Sequence, residues 1–235
     1  MRMIAGPNGS GKSTLIELLR KSVDFGVYVN ADDIEANLHK KSFLHFEDYA
    51  IKTNQQFFLS FLKKKGTLGS DDYKRLITES VKLEKNILVV PKELIDSYFA
   101  SIISDFIRHE LLKANVAFSF ETVMSHISKI DFLKLANKKK YRTYLYFVGT
   151  VDPVINLERI KNRVIKGGHN VSEEKIRERY QKSINLLQDG LKLAYRCFVF
   201  DNTTSLNLLT EYKEGELKFV GTVKAQWHII NKNSA

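Results

Sequence analysis

The chain has 235 residues, 43% hydrophobic and 27% charged, a balance that suits an α/β domain with a sizeable core and excludes a mostly disordered chain. No apolar run reaches the roughly 18 residues that cross a bilayer, and the lone Cys197 excludes an internal disulfide or a site built from several thiolates. The net charge of +10 suits an anionic metabolite, a nucleic acid or plain solubility.

In chain order, residues 1–5 (MRMIA) read as the end of a strand, Gly6–Ser13 as a glycine-rich loop, and Thr14–Lys21 as the helix after it. Phe25–Asn30, with Val27, Tyr28 and Val29 at its centre, supplies a second buried strand. Such a strand–loop–helix–strand unit belongs in a parallel sheet covered on both faces. Residues 40–113 show little strand pattern beyond the ILVV run at 87–90 and read as a helical insertion. Within it Pro91 is expected to open a helix carrying Leu94, Ile95, Tyr98, Ile102 and Phe106 on its apolar face.

Strands are expected to resume at Val116–Phe120, Tyr141–Val148 and Tyr195–Phe200. Helices at about 153–165 and 173–189 lie between the last two, the first opened by Pro153 and the second capped by Ser172. Glu211–Val223 turns at Gly215 as a short C-terminal hairpin. The expected architecture is one α/β domain over 1–235. It has three layers, a mostly parallel five-stranded sheet, the helical insertion and the hairpin.

The sharpest motif is GPNGSGKST, which fits Gly-x-x-x-x-Gly-Lys-Ser/Thr through Gly6, Gly11, Lys12 and Ser13. Its glycines let backbone amides turn inward around a phosphate, and the helix N-terminus adds positive potential. Gly6, Pro7, Asn8, Gly9, Ser10, Gly11, Lys12, Ser13 and Thr14 are therefore the candidate nucleotide-binding residues. Lys12 would reach the β- and γ-phosphates, and the Ser13 hydroxyl would ligate Mg²⁺.

Two groups of acids follow predicted strands. Asp32 and Asp33 come directly after the second strand, where a carboxylate can accept a hydroxyl proton, hold Mg²⁺ or cap the next helix. Glu121 and Thr122 end the FSFET segment and can bind a sugar hydroxyl; a helix cap is the plainer alternative for Glu121. Arg159 and Arg163 share a helix face ahead of Gly167-Gly168-His169. Residues 159–176 thus have the form of a phosphate-sensing lid. The lysine clusters Lys63–Lys65 and Lys138–Lys140 are not interleaved with aromatics, although Tyr141 follows the second, so nucleic acid is not the favoured partner.

AGPNGSGKST at 5–14, VNADD at 29–33, FSFET at 118–122, RVIKGGHNVSEEKIRERYQKS at 163–183 and FDNT at 200–203 together resemble the zeta-toxin family of P-loop kinases. The resemblance implies a cytoplasmic kinase that uses ATP and Mg²⁺, with a small-molecule acceptor of the UDP-N-acetylglucosamine kind and an antitoxin protein as a partner. It puts the general base on Asp32, which also serves the metal, the phosphate lysine on Lys12 and the sugar-binding acid on Glu121. Arg163, then Arg159, fall on the lid arginines, and Asn202 falls near the base. Kinases of another metabolite or of a nucleic-acid end, and a nucleotide-dependent interaction module, remain the alternatives.

Overall fold

The computed structural model describes residues 1–64, 71–165, 171–222 and 227. The first elements are β1 (Arg2–Ala5), α1 (Lys12–Leu19), β2 (Val27–Val29) and α2 (Ala31–Lys41). Then come β3 (Phe43–His45), α3 (Gln55–Lys64), α4 (Asp71–Ser80), β4 (Lys82–Glu84), β5 (Ile87–Val89) and α5 (Ser97–Ala114), with 3₁₀ turns at Phe46–Tyr49 and Lys92–Leu94. The rest is β6 (Phe118–Thr122), α6 (Ser128–Lys138), β7 (Tyr144–Gly149), α7 (Pro153–Ile165), α8 (Glu173–Leu193), β8 (Arg196–Asp201), β9 (Asn207–Lys213) and β10 (Glu216–Val220). Two compact units result, one made of residues 1–25 with those from 119 onward, the other of residues 26–118.

The main sheet is larger and more mixed than the five mostly parallel strands expected. Among the described residues it has seven strands, six of them in the first unit in the order β10-β9-β8-β7-β1-β6. Strands β6, β1, β7 and β8 run parallel. The hairpin β9–β10 continues the sheet antiparallel to β8. Its annexation has a physical reason, since without β9 the backbone groups of β8 would form an open edge.

Burial differs along this sheet. In β7, residues Leu145 to Gly149 are all buried, as a strand covered on both faces should be. In β8, Cys197, Val199 and Asp201 are buried while Arg196, Phe198 and Phe200 are only half-buried. The buried side faces α8, where Gly190 allows close approach: a Cβ there would lie 2.6 Å from the Leu145 side chain. β10 is exposed along its whole length.

The second unit is not purely helical. Its 40–113 region also holds a three-stranded antiparallel sheet in the order β3-β5-β4. Each strand has three residues, too few to show an alternation in the sequence. Pro91 precedes a 3₁₀ turn rather than the long helix. That helix starts at Ser97, where the Phe99 amide donates to the Asp96 carboxylate at 2.7 Å. On α5, Phe106 receives Phe46, Phe58 and Phe61 edge-on at 5.5, 5.1 and 5.3 Å between ring centres.

Candidate nucleotide-binding site

β1 delivers the chain to the glycine loop at its carboxyl end. Gly6 takes φ +142°, and a Cβ there would lie 2.1 Å from the Val148 carbonyl of β7. The loop can therefore leave the sheet only with glycine at this point. Gly11 has φ +99° and immediately precedes α1, whose first turn has neither a capping side chain nor an acidic residue. The positive end of α1 thus faces its surroundings without a protein counter-charge of its own. Ser13 and Thr14, in that first turn, are exposed.

Lys12 is folded into the loop. Its Nζ donates to the carbonyls of Gly6 at 3.0 Å and Pro7 at 3.1 Å. It also lies 3.7 Å from Glu121 Oε1. A nearly buried ammonium needs such partners, because the bare charge would be costly out of water. Register explains the meeting: β6 runs beside β1 with Glu121 opposite Ile4 and Thr122 opposite Ala5, the last residues before the loop. Glu121 lies within β6 and is not a helix cap, as α6 begins only at Ser128. The Thr122 hydroxyl accepts from the Met124 amide at 3.1 Å.

Two asparagines brace the loop from outside. Asn156 of α7 donates to the Asn8 carbonyl at 2.7 Å. Asn202, just after β8, donates to the Ser10 carbonyl at 2.8 Å, so close that a Cβ on Gly11 would meet its amide nitrogen at 2.0 Å. The Asn156 oxygen accepts from the buried Thr150 hydroxyl, and Tyr180 of α8 donates to the Thr150 carbonyl at 2.6 Å. Burial, then the charges of Asp152 and Asp201, push the Tyr180 hydroxyl up to about 12, so it remains a donor across the ordinary pH range. Asp201 accepts from the Thr203 hydroxyl at 2.7 Å and from the Trp227 indole at 2.7 Å.

Two buried polar atoms of the loop, Asn8 Oδ1 and the Ser10 hydroxyl, are left over by its internal hydrogen bonds. The Ser10 hydroxyl is buried, lies 2.9 Å from where a Gly6 Cβ would sit, and has no partner among the described residues. Arg159 donates through one guanidinium nitrogen to the Thr203 carbonyl at 3.2 Å, and its buried Nη1 is likewise unpartnered. Donors left in this state suit an anion. Gly6–Thr14 with Lys12 would hold the phosphates of ATP, and the exposed Ser13 hydroxyl would hold Mg²⁺.

The other expected residues are distributed as follows. Asp32 and Asp33 are exposed in the first turn of α2, in the second unit. Neither is the cap: Asn30 is, its side chain accepting from the Asp32 amide at 2.9 Å. Tyr49 is raised to about 12 by burial and then by Asp33 and Asp48, which places the Asp33 charge beside that hydroxyl. Arg163 is exposed in the last turn of α7. Gly167, Gly168 and His169, and so the middle of the 159–176 segment, lie outside the described residues.

Sequence reasoning missed Asn156, Thr150 and Tyr180. A signal existed for the first: Asn156 is a polar residue on the apolar strip of α7, one turn before Arg159 and fully buried between Leu157 and the loop. The Cys197 thiol, buried and pushed upward by burial alone, matches a core position.

A family model described as AAA domain matches residues 2–218. An uncharacterized protein of Haemophilus influenzae is 35% identical over 72 residues, which are 31% of this chain and 51% of that protein. The chain thus spans about half the length of the curated relative it matches. Among solved structures, similarity extends to one from the PezAT chromosomal toxin-antitoxin system of Streptococcus pneumoniae (13% identity, TM-score 0.46, 88% of this chain and 68% of that one). AvrRxo1-ORF1:-ORF2 with ATP is similar at 13% identity and TM-score 0.47, over 92% of this chain and 59% of that one. TT1252 from Thermus thermophilus gives 18% identity and TM-score 0.38, over 87% and 88%. With the family model running from the second residue of β1's approach to the loop through the hairpin strand β10, the chain belongs to the AAA domain family.

Proposed function

We propose that the chain is an ATP-dependent phosphotransferase acting on a hydroxyl of a small metabolite, a UDP-N-acetyl sugar before others. The observation that carries the reading is the glycine loop itself: a preformed cradle with Lys12 drawn inside it and donors of Ser10 and Arg159 left without partners among the described residues. Bound ATP with Mg²⁺ supplies the transferable phosphoryl group. The loop amides and Lys12 would fix the phosphates, and Ser13 and Asp32 would serve the metal. Asp32 accepts the acceptor's hydroxyl proton, and it is preferred to Asp33, whose charge lies beside Tyr49. Glu121 orients a sugar hydroxyl with Thr122 as its neighbour. Arg159, and Arg163 from further along α7, balance the negative charge of the moving group.

The resemblance of the VNADD, FSFET and lid segments to zeta-toxin kinases supports the nucleotide-sugar acceptor. It also supports an antitoxin-like protein partner and action in the cytoplasm, where such acceptors are found. The test is a screen of sugar nucleotides with γ-labelled ATP. Wild-type protein is expected to transfer label. Asp32→Asn should lower transfer by about 10²–10⁴-fold while still binding ATP, and Lys12→Met should lose both. A folded, ATP-binding protein that leaves the whole panel unlabelled would reject the acceptor class.

A further inference from the structure

The parallel strands that carry the glycine loop at their carboxyl ends carry a different surface at their amino ends. Register aligns Arg2, Tyr144, Arg196 and Lys213 in one row across β1, β7, β8 and β9. Directly paired residues emerge on the same face of a sheet, so cation and ring alternate there. The Arg2 guanidinium lies 5.5 Å from the centre of the Tyr144 ring, and Arg196 lies 5.3 Å from that of Phe198. Arg142 and Lys213 both approach Tyr195, at 5.6 and 5.7 Å. Tyr144 meets Tyr195 edge-on at 5.9 Å, and Tyr146 stacks on Phe198 at 5.0 Å.

This is the side of β8 that α8 does not cover, and Tyr144, Tyr195, Arg196 and Phe198 are all half-buried, while Tyr146 is buried. Arg142 and Lys213 are exposed. Two acids answer these cations: Glu211 pairs with Arg196, and Glu216 of β10 stands opposite Lys213. The exposed lysines Lys138–Lys140 stand just before β7 at the same end of the strands. The lysine cluster lacks interleaved rings in the sequence; neighbouring strands provide them in the fold.

We propose that this open sheet face binds single-stranded nucleic acid, at a site separate from the glycine loop. The cations now lying over these rings can turn to the phosphates and give up the ring faces to unpaired bases. A duplex hides its base faces and cannot use the rings. An acidic peptide would need the cations alone.

The experiment is fluorescence anisotropy of labelled oligo-uridine and oligo-thymidine with the whole chain. Binding is expected to weaken about twentyfold between 50 and 200 mM salt if about three phosphates are neutralised. Tyr195→Ala and Phe198→Ala should each weaken it about tenfold, and Arg142→Glu with Lys213→Glu should abolish it at 200 mM salt. Excess ATP should leave the oligonucleotide bound. Which of the two oligomers binds more tightly identifies RNA or DNA as the source. Circular dichroism checks that the ring variants fold; the two charge reversals lie on exposed side chains and test the site even if the ring variants do not. Undetectable binding at 50 mM salt, duplex bound as tightly as single strand, displacement by ATP, or wild-type affinity in the charge-reversal variant would each overturn the proposal.

Discussion

At the scale of single residues, the loop is set by groups that never need to touch a ligand. Asn202 holds the Ser10 carbonyl and packs against Gly11, and through them it fixes the direction of the loop's amides. Losing one such hydrogen bond costs about 1 kcal/mol, so Asn202→Ala should weaken nucleotide binding about fivefold. Titration calorimetry measures that directly. An unchanged affinity would mean that the glycines alone shape the cradle. Lys12 presents the opposite case, a charge already balanced by two carbonyls and Glu121 before any anion arrives. The lysine, the glycines and the serine were legible because they are adjacent in sequence and their chemistry repeats in a fixed order. Asn156 and Asn202 act from 148 and 192 residues away; the break in the apolar strip of α7 and the FDNT segment mark them, but nothing local names the loop carbonyls they hold.

At the scale of elements, α2 shows how a cap and an acidic first turn divide their tasks. Asn30 satisfies the Asp32 amide, while the Asp32 and Asp33 carboxylates sit at the helix's positive end. Asn30→Ala should cost about 1 kcal/mol of stability, read as a shift of the urea midpoint, whereas a change below a few tenths would show that the cap contributes little. Helix α7 was legible to the residue at both ends, since Pro153 suits its first position and its apolar residues recur at helical spacing. Of the short strands, β5 coincides with the ILVV run at 87–90, whereas β3 and β4 were not legible, because three residues cannot establish a period. Joining of the hairpin to the sheet was hidden for a different reason: Glu211–Val223 reads as a hairpin turning at Gly215, but nothing local extends its first strand back to Asn207 or names β8 as its partner.

At the scale of the whole molecule, Cys197 offers a clean reporter. It is the chain's single cysteine, lies fully buried in β8, and its thiol is held protonated by burial. A thiol reagent should therefore react only when the sheet opens, at a rate far below that of a free cysteine and rising with denaturant. Rapid labelling in native buffer would show that β8 opens locally. The row of Arg2, Tyr144, Arg196 and Lys213 belongs to this scale too. Its members come from four strands spread over more than 200 positions of chain, and only the register brings them side by side, which is why composition and clusters along the sequence pointed elsewhere.

The exposed strand β10 carries a last implication. Leu217, Phe219 and Val220 are exposed on the outermost strand of the hairpin, and an outer strand offers its spare amides and carbonyls to any extended backbone that comes alongside. Lys218, paired with Glu216 between those apolar neighbours, puts a hydrated charge in the path of such a guest. Lys218 thus guards that edge against pairing with a second copy of the strand.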